Sequence, residues 1–300
     1  MTEFRGAFTA LITPMTESGE VDYEGFRRLI RFQITQGIDG IVPLGTTGEC
    51  PTLDESEEDK LAEIAVSEAG GKIPVIIGAG SNDTRHMIKY VERAKKTGAD
   101  AALVVTPYYN KPNDDGLLRH FEAAAKVGIP VIVYNIASRT GRNIPVALME
   151  KIAAIPGVAG VKESSGDINQ MGDVIREIAS VRHEKNGKFW VLSGDDSFTL
   201  PLISLGGDGV ISVISNLLPA KVKALVKNAL DGNYEEARKI HYELLPFMKT
   251  AFIETNPVPI KQALNWAGLP AGPARLPLGK LSSVNEAALR KTLVEMGIIK

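Results

Sequence analysis

The sequence predicts an α/β protein, a (β/α)8 barrel of the TIM type carrying a C-terminal helical domain. Three observations predict it. Short apolar runs rich in Val, Ile and Ala recur eight times, each followed by a turn with Gly, Pro or Thr and then a charged amphipathic stretch. Such alternation implies βαβ units and a parallel sheet. The eight units span about 230 residues, close to the roughly 250 that a closed barrel typically needs. From Asn233 onward the pattern is helical only. A doubly wound open sheet is the alternative, disfavoured by the count of eight and because no Gly-x-Gly-x-x-Gly follows the first strand. The expected division is a catalytic barrel over 1–231 and a three-helix appendage over 232–300.

The strands are expected at 7–14, 40–45, 74–80, 101–109, 130–137, 158–162, 189–194 and 208–215. Each reads as a continuous apolar run, as strands buried on both faces do. Helices are expected at 23–36, 54–69, 83–97, 114–126, 145–155 and 169–180, and again from Ser197 onward. In the first of these, Leu29, Ile30, Phe32 and Gln33 fall at helical spacing. Asp54, Asn82-Asp83 and Asp114 are start signals, and Pro145 suits a first turn. Gly37, Gly70, Gly98 and Gly128 stand where a left-handed cap needs glycine. Beyond the barrel, 234–252, 259–267 and 283–296 read as helices, and 268–279, with Pro270, Pro273 and Pro277, as a loop.

Bulk properties exclude several functions. Apolar residues make up 44% and charged residues 23% of the chain, the composition of a soluble globular protein. A net charge of -2 with no basic run argues against a nucleic-acid partner. The longest apolar stretches are strand-sized, so no membrane span is expected. Met1-Thr2-Glu3-Phe4-Arg5 does not open a secretory signal. A single cysteine, Cys50, excludes an intramolecular disulfide and fits a reducing, cytoplasmic setting. Cys50 reads as a small packed side chain rather than a nucleophile. His86, His120, His183 and His241 are scattered, with no pair at metal-ligand spacing.

Active sites of this fold form at the C-terminal ends of the strands, so the residues there are the candidates. The second strand runs into Gly45-Thr46-Thr47-Gly48-Glu49, whose hydroxyls can bind a carboxylate or pass a proton. The loop has no Gly-Lys-Ser/Thr ending and so is no Walker phosphate loop. The fourth strand runs into Thr106-Pro107-Tyr108-Tyr109-Asn110, and the fifth into Tyr134-Asn135-Ile136-Ala137-Ser138-Arg139. The sixth ends in Lys162. A lysine there is held near desolvated surroundings, which favour a neutral, nucleophilic amine able to form a Schiff base. Arg139 offers a two-pronged donor for a carboxylate. Asp195-Asp196 read as helix caps rather than metal ligands. The plainer readings are a solvated strand end for Lys162, an ordinary turn for Thr46-Thr47, packing for the tyrosines and a surface ion pair for Arg139. Together, one amine, several hydroxyls and one guanidinium, with no cofactor motif, suit Schiff-base chemistry on a small anionic keto acid.

These residues, in this order, resemble the dihydrodipicolinate synthase / N-acetylneuraminate lyase family of pyruvate-dependent class I aldolases, over essentially the whole chain. Gly45-Thr46-Thr47-Gly48-Glu49 and Tyr134-Asn135 followed by Lys162 are family-wide marks. Thr106-Pro107-Tyr108-Tyr109-Asn110 with Ser138-Arg139-Thr140-Gly141 is similar to the synthase branch. The resemblance implies condensation of pyruvate with L-aspartate-4-semialdehyde to 4-hydroxy-tetrahydrodipicolinate, at the entry to lysine and diaminopimelate synthesis. It implies Lys162 as the Schiff-base lysine and Tyr134, Thr46 and Tyr109 as the proton relay, with Tyr109 supplied by a neighbouring subunit. Thr46 and Thr47 would bind the pyruvate carboxylate and Arg139 that of the semialdehyde, while Gly194 and the backbone at Ile211 would line the pocket. It further implies a homotetramer built as a dimer of tight dimers, and no cofactor.

Two departures from the family pattern stand out. Ala137 replaces a common proline, which removes a backbone restriction beside Arg139. Lysine-inhibited relatives hold the effector with histidines and a glutamate, where this chain carries Glu55, Glu58 and His86, with Asn82 and Tyr108 matching. Weak or absent feedback by lysine is therefore expected. Two other readings stay open: a sister aldolase acting on a sugar acid or 4-hydroxy-2-oxoglutarate, and a non-catalytic binding protein on the same scaffold.

Overall fold

Eight strands pair in parallel in the order β2-β1-β8-β7-β6-β5-β4-β3. They are β1 (Gly6–Ala10), β2 (Gly40–Val42), β3 (Ile76–Gly78), β4 (Ala101–Val105), β5 (Val131–Asn135), β6 (Val158–Glu163), β7 (Trp190–Ser193) and β8 (Gly209–Ser212). The ring closes between β2 and β3, where Ile41 bridges Val75 and the Gly78 N–H donates to the Pro43 carbonyl at 2.9 Å. That seam requires glycine: a Cβ on Gly78 would lie 1.9 Å from the Leu44 carbonyl oxygen. The expected (β/α)8 barrel is thus the architecture of this computed structural model, which describes residues 2–181 and 187–300. His183 lies outside the described residues. Among the described residues no helix is long and apolar enough to cross a membrane.

Seven of the strands are shorter than the expected runs, because each of those runs continues into the loop at its C-terminal end, whereas β6 extends one residue beyond its expected end at Lys162. The fourth leaves the ladder after Val105, just before Pro107, which has no N–H to give. Helix starts follow their caps. Asp54 forms a capping box with Glu57 ahead of Glu55–Ala69, and the Asp83 side chain accepts from the Arg85 N–H ahead of Thr84–Thr97. The cap of Asp114–Lys126 is Asn113 rather than Asp114, because the Asn113 side chain reaches the Gly116 N–H at 3.0 Å. The helix expected over 169–180 is in two parts, Ile168–Asp173 followed by a π-helical turn over Val174–Ala179. Pro145 caps Val146–Ala153 from outside. A short helix at Ala137–Thr140, not expected from the pattern, sits just after β5 and carries Arg139.

Past the turn after Leu230, the Tyr234–Thr250 helix packs on Pro219–Leu230 and on Ser283–Glu295. The boundary expected at 231/232 falls in this turn. Between these helices, Val258–Trp266 runs back against the barrel and carries Lys261, which is 1% exposed.

Candidate active site

Tyr134 on β5 and Lys162 on β6 are register partners, so the sheet itself sets the two side by side. Neighbouring strands bring paired side chains onto the same face. The Lys162 Nζ sits 4.1 Å from the centre of the Tyr134 ring. Both are buried, at 7% and 6% exposure. Burial strips the ammonium of water and pulls the Lys162 pKa down to about 7; Asp196 works against that fall and Arg139 adds to it. Burial likewise pushes Tyr134 up to about 12, with Arg139 opposing. At neutral pH, therefore, an appreciable share of Lys162 is free amine while Tyr134 keeps its proton.

The next residue on each strand faces the other way. Asn135 and Glu163, also register partners, bond to each other at 3.1 Å on the helix side of the sheet. Glu163 further accepts from the Ser165 N–H at 2.7 Å, and Asn135 accepts from the Ile144 N–H at 3.0 Å. These bonds pin the loops that follow Lys162 and Tyr134. Asp196, after β7, is buried and pushed up to about 6 by that burial, which Ser212 and the Ile214 and Val213 N–H groups oppose.

A cavity of about 300 Å³ opens at this end of the barrel, and Thr46, Thr47, Tyr134, Arg139 and Lys162 all line it. Its size suits small anions rather than a nucleotide. The loop bearing the two threonines is flanked by Leu44 and Glu49, both with left-handed backbone (φ 57° and 58°). Non-glycine residues hold that conformation only where the surroundings enforce it. Here the enforcement is visible. The Thr13 hydroxyl donates to the Gly48 carbonyl at 2.7 Å. The Lys261 ammonium donates to Glu49 Oε1 at 2.6 Å, to the Pro273 carbonyl at 2.6 Å and to the Thr13 carbonyl at 3.0 Å. The Arg275 N–H binds the other Glu49 oxygen at 2.8 Å.

The remaining predicted residues are placed differently. Tyr109 is 90% exposed, has left-handed backbone (φ 72°), and does not line the cavity within this single chain. Gly194 and Ile211 are not among the lining residues either. Ile211 is fully buried within β8 opposite Phe8. Gly194 lies directly beside the lysine: a Cβ there would fall 2.9 Å from Lys162 Cε and 1.8 Å from Ser164 Oγ. The Arg139 guanidinium reaches the Asn256 carbonyl at 3.4 Å. Burial pushes the Cys50 thiol up to about 12, with Glu58 adding to the rise, so Cys50 is no nucleophile at neutral pH.

Comparisons with known proteins identify the family. The model of the dihydrodipicolinate synthetase family matches residues 3–296. The chain belongs to that family. It is 50% identical to a 4-hydroxy-tetrahydrodipicolinate synthase of Protochlamydia amoebophila, over 97% of this chain and 96% of the relative. It is 44% identical to one of Methanosarcina acetivorans, over 99% and 100%. Among solved structures, dihydrodipicolinate synthase from Aquifex aeolicus superposes with a TM-score of 0.93 at 44% identity, covering 98% of this chain and 99% of that one. A monomeric dihydrodipicolinate synthase variant superposes with a TM-score of 0.94 at 41% identity, covering 99% and 98%.

Asn256, Lys261, Glu49 and Asp196 do not stand out as functional in the linear sequence. Lys261 and Asn256 lie in the helical appendage, more than 200 positions from Glu49 and Thr47, their partners. No local pattern announces such pairs. The one signal present is Glu49 itself, an acid closing a glycine loop with no neighbouring charge to meet.

Proposed function

We propose that this enzyme condenses pyruvate with L-aspartate-4-semialdehyde to 4-hydroxy-tetrahydrodipicolinate through a Schiff base on Lys162. The observation that carries the reading is a buried amine whose pKa falls to about 7 at the mouth of the barrel, against the Tyr134 ring. The free Lys162 amine attacks the keto carbon of pyruvate. The keto oxygen takes up protons and leaves as water, giving an iminium. Loss of a methyl proton then yields the enamine, whose carbon attacks the aldehyde carbon of the semialdehyde while the aldehyde oxygen is protonated, which restores the iminium. The semialdehyde's amino group then adds to the iminium carbon and loses its proton as the Lys162 amine leaves, closing the ring and freeing the enzyme. Tyr134, with its proton held by burial, serves with Thr46 and Tyr109 as the relay. Thr46 and Thr47 bind the pyruvate carboxylate, and Arg139 binds that of the semialdehyde. The product enters lysine and diaminopimelate synthesis.

We further propose a homotetramer in the cytoplasm. What supports the assembly is Tyr109, exposed on one chain and absent from its own cavity, as expected of a residue offered to a neighbour's site. Sedimentation velocity tests it, and a monomer with full activity would remove Tyr109 from the relay.

Borohydride reduction in the presence of pyruvate tests the chemistry. A single reduced pyruvate adduct on Lys162 is expected, and no adduct would leave a non-catalytic binding protein. The substrate is tested by coupling product formation to NADPH oxidation by the downstream reductase, with N-acetylneuraminate and 2-keto-3-deoxygluconate run alongside. Turnover of a sugar acid but not of the semialdehyde would move the chain to the sister aldolases. Arg139→Ala should raise the KM for the semialdehyde far more than that for pyruvate, and equal effects would count against the assignment.

A further inference from the structure

We propose that Asn256 is a positioning residue for pyruvate: its side-chain amide fixes the direction of the Thr47 hydroxyl so that the hydroxyl proton is free for the substrate carboxylate. The inference rests on the reading of Thr46 and Thr47 as the carboxylate site. Asn256 Nδ2 donates to Thr47 Oγ1 at 2.9 Å across 209 positions of sequence, and the two residues are 5% and 4% exposed. Both groups are therefore screened from solvent, which would otherwise rotate the hydroxyl at little cost.

The polarity of this bond decides what Thr47 can do. A hydroxyl has one proton and two lone pairs. When its oxygen accepts from the amide, its own O–H is left to donate elsewhere. A carboxylate is acceptor-only, so a site for one must present donors. With the opposite polarity, Thr47 would give its proton to Asn256 and turn a lone pair toward the anion. Asn256 Oδ1 is buried and has no hydrogen-bond partner among the described residues, so Thr47 is the one polar group its side chain engages.

Asn256 is itself held in place by its backbone. Its carbonyl accepts from the Arg139 guanidinium at 3.4 Å, and the neighbouring Pro257 carbonyl accepts from the Lys261 N–H at 3.0 Å. The side chain thus serves the pyruvate side of the cavity, while the main chain touches the arginine assigned to the second substrate. Side-chain substitutions separate the two.

The test uses Asn256→Ala, Asn256→Asp, Thr47→Val and the Thr47→Val/Asn256→Ala pair, in the full-length enzyme. Initial rates give kcat and a KM for each substrate, and borohydride trapping reads pyruvate capture on Lys162. Losing one oriented hydrogen bond to a charged group corresponds to about a tenfold change. Asn256→Ala should raise the pyruvate KM about that much, with the semialdehyde KM changed less than about twofold. Asn256→Asp should do worse, because a carboxylate takes the Thr47 proton and adds like charge. In the Thr47→Val background Asn256→Ala should have no further effect, as a shared pathway requires. A purely structural role would lower kcat through lost active enzyme and leave the pyruvate KM alone. An unchanged pyruvate KM in Asn256→Asp, or an undiminished effect of Asn256→Ala without the Thr47 hydroxyl, would overturn the proposal. Asn256→Ala, which removes atoms and adds no charge, carries the test alone should the aspartate variant not fold. Failure of the wild type to trap pyruvate on Lys162 would instead overturn the underlying reading of the site, and the inference with it.

Discussion

Replacing Lys162 with methionine should make the fold more stable, and by an amount that depends on pH. The lysine pKa stands at about 7 in the folded protein against 10.5 for the ordinary side chain. Between those values the unfolded chain binds a proton that the folded chain has released, so stability of the wild type rises with pH across this window. Below pH 7 the cost of burying the amine is fully present. A pKa difference of one between the folded and unfolded chain corresponds to about 1.4 kcal/mol, so the cost is roughly 5 kcal/mol at pH 6. At pH 9, about 1.5 below the pKa of the unfolded amine, the cost falls to about 2 kcal/mol. Methionine has similar length and no charge, so its packing contribution does not change with pH. The stability gap between Lys162→Met and wild type should therefore shrink by about 3 kcal/mol from pH 6 to pH 9. Denaturant unfolding of both proteins at the two pH values measures it, since titrations of groups that do not interact with Lys162 cancel in the difference. A gap of equal size at both values, or one that widens with pH, would refute the argument that burial depresses this amine. The same depression predicts an acid limb: imine formation should rise through about pH 7 as the amine loses its proton.

Other expectations follow from neighbouring geometry. Lys261→Met leaves Glu49 as an uncompensated buried charge and should cost roughly 3–5 kcal/mol in chemical unfolding, part of it recovered by adding Glu49→Gln. An unchanged midpoint in the single variant would mean that the pair does not hold the threonine loop. Gly194→Ala puts a methyl 2.9 Å from Lys162 Cε and 1.8 Å from Ser164 Oγ, so the amine must move. Pyruvate trapping should fall roughly tenfold or more, since small misplacements are costly in an aligned site. Wild-type trapping with a folded alanine variant would contradict this. Glu58 lines the cavity and its carboxylate is engaged by Arg93 at 2.5 Å, so this acid, one of those the family resemblance sets at an effector site, is already paired. Steady-state assays should therefore show weak or no inhibition by lysine. Strong inhibition at submillimolar lysine would sink that view.

Much of this was legible in the linear chain. Apolar runs separated by amphipathic stretches specify local structure, because backbone pairing and one-sided burial act over a few residues. Asp54, Asp83 and Gly98 marked helix ends for the same short-range reason. Counting eight units was enough for the barrel, and the barrel rule directed attention to the strand ends where Lys162, Tyr134 and Arg139 stand. Short-range signals failed where the chain obeys a competing local bond. Asn113 displaced Asp114 as a cap, and a helix formed at Ala137–Thr140 without an amphipathic pattern.

The order of elements and the chemical kinds of group at the barrel mouth are written in the residues themselves. Their arrangement was decided by tertiary structure. The register of β5 on β6 puts Lys162 against Tyr134, and burial from all sides moves both pKa values. The contribution of the helical appendage was likewise invisible along the chain. Lys261 and Asn256 meet Glu49 and Thr47 from the far end of the chain, and a hydrogen bond spanning 209 positions leaves no periodicity for a local pattern to reveal. Desolvation and long-range polar contacts depend on what surrounds an atom in space, and that is the part of the site only folding supplies.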